Sequence, residues 1–219
     1  MTIATTLAEL AVTRPGATRV FHRYRLDFSC RGGRSLVEAC RERRLDPGAI
    51  LAAIEAEAPQ PGDLTRWDRV PLSALVDHVV STVHQRLRDQ LPALVVEARA
   101  VERRQRGTAA YPRGLATAIA DLHHSVLEHL EKEEHLLFPL IVSGQGTQAG
   151  GSVLAVERGH QRHAERLADI RMRTADFTAP PSADAAWRGL YADLQQLEVD
   201  LMLHMHLENN VLFRRALAA

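Results

Sequence analysis

Cysteine is scarce in this chain: Cys30 and Cys40 are the only two among 219 residues, too few for a disulfide framework or a zinc quartet. Aromatic residues make up 5%, while Ala, Leu, Arg and Glu are plentiful, which favours helix over sheet. Neither sign of charge is in excess, with 27 basic against 27 acidic residues, so no global field draws the protein to nucleic acid or an acidic membrane. Lysine is nearly missing, Lys132 being the single one among the basic residues, which reads as genome composition rather than chemistry. No apolar run reaches bilayer-spanning length, and the opening MTIATTLAELAVTRPG lacks the basic segment and continuous apolar stretch of a signal peptide. These absences exclude a disulfide scaffold, a membrane protein and a nucleic-acid binder. What is left is an all-α soluble protein, expected in the cytoplasm and long enough to bury a substantial core.

Prolines and a glycine in APQPGD, residues 58–63, mark a boundary. The expected organisation is a small helical domain over 1–58, a linker over 59–70 and a larger helical domain over 71–219. In the small domain, apolar residues from Ile3 to Ala11 suggest a helix over 3–12, and a second segment runs from Pro15 to about Tyr24. Ser35 and Glu38 form a capping-box pattern opening a helix to about Arg44, and Asp46-Pro47 is a cap with proline at the first helical position. Four short helices make a marginal core, so this unit is expected to lean on the larger domain or on a second chain. The larger domain reads as four long helices, about 71–105, 112–141, 152–175 and 183–217, with SGQGTQAGG as a loop and Pro92 expected to kink or break the first helix. An up-down four-helix bundle is the simplest arrangement.

Within those helices a pattern occurs twice. His129, Glu133 and Phe138 repeat as His204, Glu208 and Phe213 with the same spacing, and a single histidine precedes each copy: His84 by 45 residues and His160 by 44. Residues four apart share a helix face, so each pair aims an imidazole and a carboxylate at one point. The chain runs about eight helical residues past Glu133 and about eight back to His160. At ~1.5 Å per residue these arms match at ~12 Å, and the ligands return to one level. One His-x3-Glu pair is usually a surface hydrogen bond, and one histidine on an apolar stripe is usually a core residue. The doubled pattern with matched single histidines reverses both readings. His84, His129, His160, His204, Glu133 and Glu208 are thus expected to ligate a pair of metal ions in a four-helix bundle. Of the remaining histidines, His78 and His123 are candidates to support that site, whereas His22, His124, His135, His163 and His206 are read as surface. Nitrogen and oxygen donors without thiolate point to iron, manganese or zinc. Two bridging carboxylates suit ions ~3.5–4 Å apart, and an imidazole-rich set favours iron with coordination positions left open.

The stretches LVDHVVSTVH, HLEKEEHLLFPLI, ERGHQRHAE and DLMLHMHLENNVLFRRAL resemble the ligand helices of hemerythrin-like domains, and YRLDFSCRGGRSLVEAC resembles a short cysteine-bearing domain that precedes such bundles. Over nearly all its length the chain is similar to the repair-of-iron-centres family of di-iron iron–sulfur cluster repair proteins. Oxygen-carrying hemerythrins use five histidines, whereas this pattern has four histidines and two glutamates. The family's N-terminal unit carries two adjacent cysteines followed by Gly-Gly; here Ser29 stands in the first position, Cys30 in the second, and Arg31 precedes Gly32-Gly33. That departure weakens any mechanism needing a vicinal dithiol. Cys30 sits near a helix start beside Arg31 and Arg34, features that favour thiolate, so it is the candidate redox thiol, whereas Cys40 reads as a packing residue. The nine arginines of residues 1–58 face seven acidic residues, which gives no nucleic-acid site.

The resemblance implies a non-haem centre of two iron ions, oxo- and carboxylate-bridged. It also implies a role in restoring iron–sulfur proteins damaged by nitric oxide or oxidants, by supplying labile iron. A nitric oxide reductase is the runner-up, and a module binding or sensing nitric oxide or dioxygen is the third reading. Open coordination positions allow all three: an iron donor, an enzyme, or a binding module that is neither. The resemblance also allows a homodimer through the N-terminal unit.

Overall fold

The computed structural model describes residues 2–60, 65–108 and 112–218. Residues 61–64 of the expected linker lie outside the described residues. The fold is all-α. Among the described residues the only β feature is one isolated antiparallel bridge between Thr6 and Ser35. No helix among them is long and apolar enough to cross a membrane. Two compact units share the chain: one gathers Met1–Val76, Ile141–Gly150 and Met202–Ala219, the other Asp77–Leu140 and Gly151–Leu201.

In the first unit, α1 (Leu7–Thr13), α2 (Ala17–Arg23), α3 (Leu36–Arg43) and α4 (Pro47–Ala56) are short, and their caps explain their limits. Thr6 and Glu9 make a reciprocal capping box, with Glu9 N–H donating to Thr6 Oγ1 at 3.2 Å and Thr6 N–H to Glu9 Oε2 at 3.0 Å. The first helix therefore starts at Leu7 rather than at residue 3, because Thr6 captures the amides that a longer helix needs. The expected box at Ser35 and Glu38 forms, as does the Asp46 cap, whose carboxylate accepts from Gly48 and Ala49. The two boxes sit side by side: Leu7 N–H donates to Arg34 O and Leu36 N–H to Thr5 O. Beneath them Leu7, Leu10, Val20, Phe21, Leu26, Phe28, Leu36, Cys40, Ile50 and Ile54 form one apolar cluster, against which Met202 and Leu203 pack. The C-terminal α11 (Phe213–Ala218) belongs to this unit. Its Arg215 donates to the carbonyls of Trp67 and Val70 at 2.9 and 2.6 Å, fixing the segment before the first long helix. The stretch expected as a plain loop, 143–151, instead contains a 3₁₀ turn, Gly146–Ala149. Gly146 is buried there because its backbone presses on that of Ala216, leaving no room for a Cβ.

The long helices run through four segments. The first joins α5 (Leu72–His78), a π-helical turn π1 (Val79–His84) and α6 (Gln85–Gln105). The second joins α7 (Leu115–Lys132), π2 (Glu133–Leu137) and α8 (Phe138–Val142). The third is α9 (Gly150–Arg173); the fourth joins α10 (Ala185–His206), π3 (Leu207–Leu212) and α11. Pro92 neither breaks nor ends α6. It stands on the solvent side, where water can satisfy the carbonyl that loses its amide partner, while Leu91 and Leu94 on either side stay buried. Apart from the adjacent pairs Leu75/Val76 and Leu94/Val95, the buried positions of this first segment step by three or four, except for a step of five between Val79 and His84. The π turn inserts one extra residue there, and that extra residue brings His84 onto the buried face.

Within the second unit, Leu87, Leu91, Leu94, Ile119, Leu122, Val126, Leu167, Ile170, Trp187, Leu190, Leu194 and Leu197 are all buried. Arg171 near the end of α9 pairs with Glu198 on α10 and with Asp176. It also lies over the Phe177 ring, 4.7 Å from its centroid, which anchors the turn between the third and fourth segments.

Candidate metal centre

In the second unit Glu133 is the focus. It opens π2, is fully buried, and sits between three imidazoles from three different helical segments. Its Oε1 lies 2.8 Å from His129 Nε2 and 3.6 Å from His160 Nε2, while its Oε2 lies 3.6 Å from His84 Nε2. The two oxygens thus face different imidazoles, as a carboxylate bridging two ions must. His129 and His160 stack obliquely, with ring centroids 4.6 Å apart. Gly159 makes this approach feasible: a Cβ there would stand 2.5 Å from His129 Nδ1. The Gly-His pair of the third segment thus supplies one ligand and clears space for another.

Around these groups lie side chains that sequence reasoning passed over. Glu134 Oε1 is 2.6 Å from His84 Nδ1 and accepts from Arg88 Nη2 at 2.9 Å. Partial burial raises the Glu134 carboxyl, but its hydrogen bonds with His84 and Arg88 together outweigh this and hold it below the ordinary carboxylate value. His163, expected at the surface, is buried; it packs edge-on to His129 at 4.8 Å and its Nε2 meets Ser125 Oγ at 3.2 Å. Its burial follows from its place three residues after His160, on the same face of α9. His78 and His123 are half-buried, and desolvation lowers the pKa of each, with His124 adding to the effect at His123. Glu134 was legible only as part of an acidic cluster, because its role comes from a neighbouring helix.

The first unit carries the second repeat. His204 Nε2 lies 3.1 Å from Glu208 Oε1, both side chains being buried. The next turn grips the N-terminal loop: Asn210 Nδ2 donates to Phe28 O at 3.0 Å and Ser29 O at 3.1 Å, and Asn209 Nδ2 to Ser29 O at 3.2 Å. His206, also expected at the surface, is buried edge-on against Phe28 at 5.5 Å, with Asn210 Nδ2 3.1 Å from its Nδ1. Burial pushes its pKa down to about 4, with Arg214 adding to the effect and a hydrogen bond to the Phe28 backbone opposing it. Cys30 is half-buried, its N–H donating to Asp27 Oδ1 at 2.9 Å and its Sγ lying 4.0 Å from Met205 Sδ. Arg31 and Arg34 both reach Glu42, so the arginines beside Cys30 in sequence are engaged by a carboxylate. Cys40 is buried, and desolvation pushes its thiol up.

The residues fit a metal. An ionised carboxylate in a dry interior is costly unless a cation meets it, and Glu133 is fully buried among imidazoles, the commonest protein ligands for metals. Ligand atoms of His129, Glu133 and His160 lie within 4.8 Å of one another, as do those of His84 and Glu133, and of His204 and Glu208. Imidazole and carboxylate without thiolate suit iron, manganese or zinc.

Comparison with known proteins agrees with this chemistry. The hemerythrin HHE cation-binding domain matches residues 75–216, a span containing all six expected ligands, and a domain of unknown function, DUF542, matches residues 3–58. The iron–sulfur cluster repair protein YtfE of Cronobacter sakazakii is 41% identical over 212 residues, covering 97% of this chain and 96% of the relative. The proteins of the same name from Dickeya chrysanthemi and Citrobacter koseri are each 39% identical, over 96% and 97% of this chain. The chain belongs to the YtfE family. As a YtfE-family protein it combines a hemerythrin-type cation-binding domain with a cysteine-bearing N-terminal region, and its buried His/Glu cluster is suited to iron.

Proposed function

We propose that the chain holds two iron ions through His84, His129, His160 and His204, with Glu133 and Glu208 as bridges, and repairs damaged iron–sulfur proteins by giving up iron. The observation that carries the reading is Glu133, whose two oxygens face separate imidazoles from a fully buried position. The names of its relatives, iron–sulfur cluster repair proteins, supply the substrate class. When bound, a ferrous pair with open positions would supply both affinity for a diatomic ligand and transferable iron. The chain's own residues do the rest: the imidazoles bind without adding charge, the glutamates balance the cations, and the apolar helices keep water from the cluster. Cys30 is proposed as the thiol through which the N-terminal unit engages a client or a second chain, and the damaged clients are proposed to be cytoplasmic.

The test is an anaerobic transfer assay. The ferrous-loaded protein should reactivate an iron–sulfur enzyme inactivated by nitric oxide and lose iron in proportion. Glu208→Ala should lose at least one ion and the transfer activity. Rapid catalytic formation of nitrous oxide with an electron donor, and no iron transfer, would establish the reductase reading instead.

A further inference from the structure

His163 is an imidazole that metal ligation does not explain. It is buried, yet among the described residues it is not one of those whose ligand atoms converge on Glu133. Burying a polar ring is costly unless it is hydrogen-bonded, and an apolar side chain would fill the same space without that cost. Its contacts supply a reason for it. Nε2 lies 3.2 Å from Ser125 Oγ, and the ring stands edge-on to His129 with centroids 4.8 Å apart. Ser125 comes four residues before His129 on α7, and His163 three residues after His160 on α9, all within the second unit. A step back along α7 and a step forward along α9 thus reach one contact. The two helices are antiparallel there, and the contact sits about one turn from the ligands. At the level of the ligands the helices have little to mesh. Gly159 brings bare backbone against the His129 ring, which stands 4.6 Å from that of His160.

Sliding α9 along α7 by one residue would move His160 by ~1.5 Å, whereas ligand distances at a metal tolerate only about 0.2 Å. The register must therefore be held to a small fraction of a residue. Apolar packing is non-directional, but a hydrogen bond between side chains weakens as soon as the helices slide. We infer that His163 and Ser125 are positioning residues: as a pair they lock α9 against α7 at the register in which the His129 and His160 rings meet the same ion. The inference rests on the metal-binding reading above and adds to it two residues outside the ligand set. The sequence signature then lengthens to Ser-x3-His-x3-Glu on α7 and Gly-His-x2-His on α9.

The experiment titrates the metal-free, full-length protein with cobalt(II), whose visible absorption reports the number and geometry of its ligands. Ser125→Ala and His163→Phe should each weaken the ion at His129 and His160 by about 10–100-fold, the usual cost of losing a supporting group around a metal, and should alter its spectrum. His163→Gln, whose amide can take the place of Nε2 beside Ser125, should bind as the wild-type chain does. The double variant Ser125→Ala/His163→Phe should be no weaker than either single variant, because the pair acts as one unit. Thermal melts of the metal-free variants check that each folds; Ser125→Ala, at a half-buried position, carries the test alone should His163→Phe not fold. If His163 only filled space, the pattern would reverse: His163→Phe would bind normally and His163→Gln, which lacks a ring, would be the damaged variant. That reversal, additive losses in the double variant, or wild-type cobalt binding by Ser125→Ala would overturn the inference and leave the metal-binding reading intact. Failure of the wild-type chain to bind cobalt would overturn both.

Discussion

Replacing Gly159 with alanine tests the centre through its packing rather than its ligands. A methyl group there would stand 2.5 Å from His129 Nδ1 and 2.7 Å from Cε1. Ordinary carbon contacts lie at about 3.5–4.0 Å, so the ring must withdraw by about 1 Å. Its retreat is obstructed by His160 and His163, whose centroids lie 4.6 and 4.8 Å away. Metal ligands tolerate errors of only about 0.2 Å, so the displaced imidazole should cease to ligate. Stability follows a different sum. Alanine gains about 1 kcal/mol over glycine in a helix interior, and overpacking costs about 1–3 kcal/mol. The metal-free variant should therefore lose at most about 2 kcal/mol, a melting shift of no more than about 8 °C. Gly189 on α10 is the control, since a Cβ there meets nothing within 4 Å, and its alanine variant should gain about 1 kcal/mol and keep its iron. The assay is iron per chain beside thermal melts of both metal-free variants. Full iron content and wild-type retention in Gly159→Ala would refute the reasoning.

Three further outcomes are expected. Cys30 should react with iodoacetamide well before Cys40, since Cys40 is buried with a raised pKa; equal rates by mass spectrometry would remove Cys30 as the candidate thiol. Asn210→Ala should cost about 1–2 kcal/mol by removing its hydrogen bonds to the Phe28 and Ser29 carbonyls, and should speed hydrogen exchange in residues 28–33; unchanged exchange would mean that the loop holds itself. Glu57 is held below the ordinary carboxylate value by Arg23 and then Arg19. Its ion pairs therefore stabilise the N-terminal helices fully above the ordinary value of 4.5 and lose that contribution as pH falls through the lowered pKa. Glu57→Gln should flatten that part of the acid melting curve, and an unaltered curve would count against it.

Much of this molecule can be read from its sequence, because the strongest signals are local. The capping residues Ser35, Glu38 and Asp46 act within one helical turn, and His129/Glu133 and His204/Glu208 declare themselves by spacing alone. What escapes the sequence is set by neighbours far along the chain. Glu134 looks like one acid among several until His84 and Arg88 arrive from another helix. His163 and His206 look like solvent-facing polar residues, yet the rings of His129 and Phe28 cover them. Pro92 carries a strong breaking signal that its solvent-facing position cancels. Thr6 with Glu9 is a legible capping box, but the apolar residue at position 3 hides it by extending the helical pattern upstream. The π turns have no compositional mark at all.

Those π turns bear on any attempt to borrow this centre. His84 closes one of them, Glu133 opens another and Glu208 lies in the third. Each adds a residue to its helix, so the chain beyond it runs out of phase with the chain before it by about 100°, one residue's rotation. A designer who copied the ligand spacings onto ideal α-helices would turn the side chains downstream of each former π turn by that angle, away from the interior. Rewinding Val79–His84 as regular α-helix without removing a residue would likewise set Leu75 and His84 on opposite faces, so that both could not point inward. The spacing of ligands along the sequence is therefore only half of the specification; the other half is a winding defect that every idealising step would erase.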